Sequence, residues 1–288
     1  MKLIEARNHY RATLGKYYTT AEIDFYFKSI VSTVLKIDPL LIALQPDLEL
    51  DVSKKNHLTR ILKALLQEQP LQYLVGQVAF RKLNLKVNPK VLIPRPETEE
   101  LVDWVLEDYA DIRNHVEVID LGSGSGCIAL SLKKEQPLFQ VYALDLQMEI
   151  LEVIKENALL NQLEVSCISW DMNQLEKLEL KVDLIVSNPP YITPQEKNEM
   201  KKNVLDYEPH QALFVPQEKP LLFYQKILNY AQTKLNFGGK IYFEINPLFE
   251  SELETLISSF GLYSLKKRKD IFGKVRIFRL EKKNDRNC

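Results

Sequence analysis

From about residue 3 to residue 75, apolar side chains recur at helical spacing. Ile23, Tyr26, Phe27, Ile30, Val31, Val34 and Leu35 form one stripe, and Leu58, Ile61, Leu62 and Leu65 another. Thr20 with Glu22, and Leu48 to Asp51 with Ser53, read as helix entries and loops. The period changes at Gly76. Val78, Phe80, Leu83, Leu85 and Val87 alternate with polar residues up to Val91-Leu92-Ile93, which predicts paired strands with Asn88-Pro89 as a turn. Arg95-Pro96-Glu97-Thr98-Glu99-Glu100 then opens a helix. Proline suits its first turn, the acids suit its positive end, and Leu101, Val102, Val105, Leu106 and Tyr109 supply its buried face.

Beyond Val116 short β-rich runs alternate with helical ones. Strands are predicted at Val116–Leu121, Gln140–Leu144, Glu164–Ile168, Val182–Ser187 and Lys240–Ile245. Helices fall at about 127–135, 148–160 and 220–235, a β-rich pair lies near 262–268 and 274–281, and a frayed tail begins at Glu281. Such alternation means a mostly parallel sheet with helices on both faces, an α/β fold. The expected domains are a helical one over 1–75, a β-hairpin linker over 76–94 and an α/β domain over 95–288.

Composition narrows the class. The chain has 288 residues, of which 45% are apolar, enough for one large or two ordinary domains. Lys plus Arg number 38 against 39 Asp plus Glu, a formal charge of −1, so the basic excess used in non-specific nucleic-acid binding is missing. MKLIEARNHY carries charges and no apolar core of a signal peptide, and no run approaches the roughly 18 apolar residues of a membrane span. The expected location is the cytoplasm, and the expected state a monomer. Cys127, Cys167 and Cys288 are too scattered for a disulfide framework or a zinc cluster, so no metal is expected. His9 and His57 read as solvated surface residues, His115 and His210 as structural ones, and Cys127 as a packing residue.

Two constellations carry chemistry. Asp120-Leu121-Gly122-Ser123-Gly124-Ser125-Gly126 follows the first strand of the sheet and precedes a helix. Alternate glycines let the backbone turn sharply and a ligand approach it closely, at the strand ends where doubly wound folds bind ligands. The spacing is neither the dinucleotide G-x-G-x-x-G nor a Walker loop, and a dehydrogenase is therefore disfavoured. Asp145 ends the second strand, where a carboxylate can accept both hydroxyl hydrogens of a ribose; a helix N-cap is the other reading of it. Trp170-Asp171, after the third strand, would pack on and hydrogen-bond an adenine.

The second constellation is Asn188-Pro189-Pro190-Tyr191, at the end of the fourth strand. Each proline fixes its own φ and biases its predecessor to an extended form. Neither has an N–H, so carbonyls and the Asn188 side chain dominate the local hydrogen-bonding surface. A planar NH2 giving one bond to the Asn188 oxygen and one to a loop carbonyl would have its lone pair aimed at a fixed point, and Tyr191 offers a flat face to cover it. Together the two sites predict methyl transfer from S-adenosylmethionine to a planar NH2 nitrogen. An adenine or guanine N-methyltransferase would use the same motif, but the near-neutral charge argues against nucleic acid. A non-enzymatic binding module would have lost Asn188 or the glycine loop.

These residues resemble the methyltransferases that modify the Gln of the Gly-Gly-Gln loop in peptide chain release factors. The likeness rests on Pro70-x-x-Tyr73-x-x-Gly76, on Leu92-Ile93-Pro94-Arg95-Pro96-Glu97-Thr98-Glu99, on the Asp120 to Gly126 loop, on Ser187-Asn188-Pro189-Pro190-Tyr191-Ile192 and on Glu208-Pro209-x-x-Ala212-Leu213. The resemblance implies a helical N-terminal domain, a hairpin linker and a Rossmann-like sheet of seven strands with the last antiparallel. It also implies S-adenosylmethionine as cofactor, release factors as partners and N5-methylglutamine as product. The substrate loop would insert its Gln between the two domains, with Arg95, Glu97 and Thr98 lining or bracing the pocket. The family often has Thr where Ser123 and Ser125 stand; small hydroxyl residues should serve equally.

Overall fold

A computed structural model describes residues 1–283. Two compact units emerge. The first takes in Met1–Gln77 and the segment Lys201–Tyr207, and the second Val78–Met200 and Glu208 onward. The 201–207 segment is therefore grouped with the helical unit, although its sequence falls inside the expected α/β domain.

The first unit is built from α1 (Leu3–Leu14), α2 (Thr20–Thr33), α3 (Leu41–Leu44), α4 (Val52–Leu66) and α5 (Leu71–Val75). Thr19 opens α2 with a capping box to Glu22, and Asp51 caps α4 through the Lys54 N–H. The apolar stripes read from the sequence meet in one core with Leu3, Tyr10 and Leu14 of α1.

Strands β1 (Gln77–Phe80) and β2 (Leu83–Lys86) pair as a two-stranded sheet. β2 and its turn are grouped with the second unit. Leu83 and Leu85 enter that unit's core, and Asn157 grips the β2 backbone: its Oδ1 accepts from the Lys86 N–H at 2.6 Å and its Nδ2 donates to the Lys86 carbonyl at 3.0 Å.

The second unit continues with α6 (Pro96–Asp108), β3 (Val116–Leu121), α7 (Cys127–Glu135), β4 (Phe139–Asp145), α8 (Met148–Leu160), β5 (Ser166–Ser169) and β6 (Val182–Ser187). Then come the short helices α9 (Lys202–Tyr207, grouped with the first unit) and α10 (His210–Leu213). α11 (Leu222–Lys234), β7 (Leu235–Glu244), α12 (Glu250–Phe260), β8 (Tyr263–Lys269) and β9 (Val275–Lys282) complete it. The seven strands lie in the order β5-β4-β3-β6-β7-β9-β8, and β9 alone runs against the direction of the other six. This is the α/β architecture expected, seven-stranded and mostly parallel. Successive residues of a strand face opposite sides, so Val118 and Leu184 enter the core under α6, α7 and α8, while Ile119 and Ile185 enter the core under α11 and α12.

α12 has no counterpart in the sequence reading, nor do the short helical turns between β6 and α11. β7 begins five residues before its predicted start, at Leu235. β9 runs through Lys282, so Glu281 and Lys282 are strand and not tail. Lys282 reaches back to donate to the carbonyls of Ala231, Gln232 and Leu235 at 3.2, 2.8 and 2.7 Å, satisfying groups at the end of α11. The remainder of the expected tail, with Cys288, lies outside the described residues.

Candidate active site

The strand order reverses between β3 and β6, and the carboxyl ends of β3, β4 and β6 converge on one crevice. Gly122, Gly124 and Gly126 have φ of 77°, 54° and 79°, a left-handed backbone that side chains disfavour. At Gly126 a Cβ would also lie 3.1 Å from Ile154 Cγ2. The loop is anchored to β4: the Gly122 and Ser123 N–H groups donate to the Leu144 carbonyl at 2.9 and 3.0 Å, and Gly124 N–H donates to Asp145 Oδ2 at 3.0 Å.

Asp120 lies beneath the loop, wholly buried. Its Oδ2 accepts from the Ala129 N–H at 3.2 Å, and its Oδ1 is buried without a hydrogen bond. Burial pushes its carboxyl up to about 7, against the pull of the Ala129 N–H. Ser123 donates its hydroxyl to the Asp120 carbonyl, and Ser125 offers its own carbonyl to Asn157 Nδ2 at 2.9 Å. These three residues shape the loop from behind.

In front of it opens a cavity of about 710 Å³. Of the residues expected from sequence, Gly122, Gly124, Asp145, Asp171, Asn188 and Pro190 form part of its wall. Asp145 accepts from Gly124 N–H with one oxygen and from Leu146 N–H with the other, at 2.8 Å, and burial raises its carboxyl above the ordinary range. The N-cap position of α8 is Gln147 and has no side-chain cap. Asp171 caps the short turn at Met172–Lys177 through Asn173 N–H.

Trp170 is not in the wall. Its indole N–H donates to the Gln174 carbonyl at 3.1 Å and its ring packs against the core under α11. The apolar lining comes instead from Leu146, Ile150, Met172, Phe214 and Phe223, none of which the sequence singled out. Their signal was proximity: each of the first three follows a strand end or a loop already marked as binding. His210, read as structural, stands in the wall beside Gln211 and Ala212, its ring edge-on to Phe214 at 5.3 Å.

The far end of the cavity is held by a chain of hydrogen bonds. Asn188 Nδ2 donates to Thr98 Oγ1 at 3.3 Å, and the Thr98 hydroxyl donates to Glu244 Oε2 at 2.6 Å. The Tyr191 hydroxyl donates to Glu244 Oε1 at 3.0 Å. Glu244, at the end of β7, is 2% exposed, and burial raises its carboxyl above the ordinary range. Tyr191, whose ring was expected to cover the target group, lies outside the wall and braces the turn. Ser187 donates to the Leu121 carbonyl at 2.6 Å, tying the end of β6 to β3. Arg95 does not line the cavity either; its guanidinium pairs with Glu208, next to the Pro209–Ala212 wall. Glu97 is half-buried near Glu244, whose carboxyl its charge helps to raise, and is also outside the wall.

A glycine-loop crevice at the switch point of a sheet with this strand order is the architecture of a Rossmann-like methyltransferase. Residues 103–209 match the methyltransferase small domain and residues 5–76 the PrmC N-terminal domain. The chain is 37% identical to a release factor glutamine methyltransferase of Flavobacterium psychrophilum, over 95% of this chain and 97% of that one. It is 39% identical to one of Bacteroides thetaiotaomicron, over 93% and 95%. Among solved structures, a 16S rRNA methyltransferase of T. thermophilus, in complex with AdoMet and guanosine, superposes with a TM-score of 0.53 at 18% identity. It covers 72% of this chain and 50% of that one, and shows the shared fold. The chain belongs to the release factor glutamine methyltransferase family.

Proposed function

We propose that this protein transfers a methyl group from S-adenosylmethionine to the side-chain amide nitrogen of the Gln in the Gly-Gly-Gln loop of peptide chain release factors. The observation that carries the reading is the orientation of Asn188. With Nδ2 engaged by Thr98, Oδ1 is the end of the carboxamide left for a ligand NH2.

The crevice suits the cofactor. Asp145, its two oxygens already oriented by backbone N–H groups, retains lone pairs for a ribose diol. Gly122 and Gly124 let a ligand approach the backbone, and Leu146, Ile150 and Met172 offer apolar faces for a purine. Asp171 and Asn173 supply polar edges there. When bound, the cofactor supplies an electrophilic methyl on a sulfonium.

The chain's own residues supply positioning. An amide nitrogen is a weak nucleophile because its lone pair is delocalised into the carbonyl, and no base stands within the Asn188 turn. Asn188 Oδ1 and a carbonyl of the Pro189-Pro190 backbone accept the two N–H bonds and fix the direction of the lone pair. Such fixing supplies on the order of 7–11 kcal/mol in well-oriented systems. The same acceptors stabilise positive charge as it grows on nitrogen, an oxyanion hole with its sign reversed, and the surplus N–H proton is lost after the transfer.

A base NH2 would fit the same acceptors, but the formal charge of −1 and the names of the relatives favour a protein substrate. We place the enzyme in the cytoplasm, acting as a monomer. No helix among the described residues is long and apolar enough to cross a membrane. Mass spectrometry of a purified release factor, incubated with cofactor and with or without this protein, tests the function. One added methyl on the Gly-Gly-Gln peptide is expected. An unmodified peptide, or methylated nucleic acid in its place, overturns the proposal.

A further inference from the structure

The geometry points to Glu244 as the positioning residue that sets which end of the Asn188 carboxamide faces the cavity. This inference rests on the functional reading above and adds to it a residue that touches neither substrate nor cofactor.

The Thr98 and Tyr191 hydroxyls and the charge of Arg276 favour the ionised form of Glu244 against its burial. As a carboxylate it can only accept, so both hydroxyls donate to it: Thr98 to Oε2 at 2.6 Å and Tyr191 to Oε1 at 3.0 Å. A threonine hydroxyl has one hydrogen. Once that hydrogen is committed to Glu244, Thr98 Oγ1 presents only lone pairs to its other neighbour. That neighbour is Asn188, 3.3 Å away, which must then turn its NH2 towards Thr98 and its oxygen away. The polarity of the chain therefore runs one way, from Asn188 through Thr98 to Glu244.

An acceptor facing the cavity selects a ligand that donates, and a reversed carboxamide would select a carbonyl. Glu244 is further fixed at its backbone, whose carbonyl accepts from the Tyr224 hydroxyl at 2.9 Å. Arg276 donates to the carbonyl of the following residue, Ile245, at 3.3 Å. The burial of a carboxylate is otherwise a cost to the fold.

Two variants break the polarity without changing shape much. Glu244→Gln puts an NH2 where an oxygen stood, and Thr98→Val removes the relay hydroxyl; Thr98→Ser should restore it. Single-turnover methyl transfer to a release factor should fall at least tenfold in Glu244→Gln and Thr98→Val. Cofactor dissociation constants and release-factor KM should each change less than threefold, and Thr98→Ser should recover most of the rate. In an Asn188→Ala background both substitutions should have little further effect, because they act through Asn188.

Rate losses that multiply with Asn188→Ala, or wild-type rates in folded Thr98→Val, would overturn the inference. If Glu244→Gln does not fold, the Thr98 pair measured against Asn188→Ala carries the same test. A second readout needs no activity. The Asn188 side-chain NH2 signals in 15N NMR, assigned by their loss in Asn188→Asp, should shift and broaden in Thr98→Val and return in Thr98→Ser. Unmoved signals overturn the inference. Moved signals in a protein that modifies no release factor would support the positioning and reject the substrate instead.

Discussion

Arg95 and Glu208 stand 113 residues apart in the chain, yet the Arg95 Nη2 lies 2.5 Å from Glu208 Oε1. The other carboxylate oxygen accepts from the Ile93 N–H at 3.3 Å, and the Glu208 side chain is 2% exposed. The pair joins the entry of α6 to the segment that continues into the cavity wall at Pro209. Removing Arg95 would leave a buried charge without its partner. Arg95→Ala should destabilise the protein by about 3–5 kcal/mol, read by urea unfolding. Glu208→Gln in the same chain should recover part of the loss. A wild-type midpoint for Arg95→Ala would show that the ion pair is not what holds this wall.

Asp145 ends β4, and both of its carboxylate oxygens are pre-oriented by N–H donors. Asp145→Ala should weaken S-adenosylmethionine binding by roughly 1.5–3 kcal/mol, the range for hydrogen bonds to a charged group. Titration calorimetry measures this directly. Unchanged affinity in a folded variant would remove Asp145 from the binding site.

Asn188→Ala deletes the oriented acceptor and frees the target NH2 to rotate. The turnover number should fall by at least about a hundredfold, comparable to the loss of one oriented donor in an oxyanion hole. Contacts to the rest of the substrate survive, so KM should move less than kcat. Asn188→Asp keeps an acceptor and should retain more activity than Ala. Wild-type single-turnover rates in the Ala variant would reduce the motif to a turn.

Asp120 links stability to pH. Burial raises its carboxyl to about 7 in the folded protein, against about 3.9 in an unfolded chain. Between those values the folded state holds a proton that the unfolded state has lost. Its contribution is therefore complete below about pH 4 and disappears as pH rises towards 7. Asp120→Asn keeps an acceptor for the Ala129 N–H and has no charge to bury. Relative to wild type, this variant should gain roughly 1–3 kcal/mol of unfolding free energy between pH 5 and pH 7.5. A constant difference across that range would show that Asp120 does not titrate there.

The sequence by itself determined what depends on neighbours a few positions apart. Strands Val116–Leu121 and Val182–Ser187 and helices Cys127–Glu135 and Met148–Leu160 stand where apolar period and punctuation put them. The positive φ at Gly122, Gly124 and Gly126 was likewise legible, because only glycine adopts that backbone without strain. The Asn188 turn is stiff for equally local reasons, and the sheet's class follows from the alternation of periods.

Tertiary structure decided which residues complete the site. Trp170 and Met172 are two positions apart in one loop and both pack against the core under α11, yet the turn that follows β5 brings only Met172 to the cavity wall as well. Thr98 and Glu244 are 146 residues apart, and no pattern along the chain pairs them. Glu244 left one trace, a single acid in the apolar run Ile241-Tyr242-Phe243-Glu244-Ile245. Its role depends on β7 pairing beside β6, which brings the ends of the two strands together. Strand order is set by the burial of whole faces against α6 to α8 and α11 to α12, a free energy summed over the entire core. Local sequence encodes backbone preference, and contacts at that separation exist only once the sheet has closed.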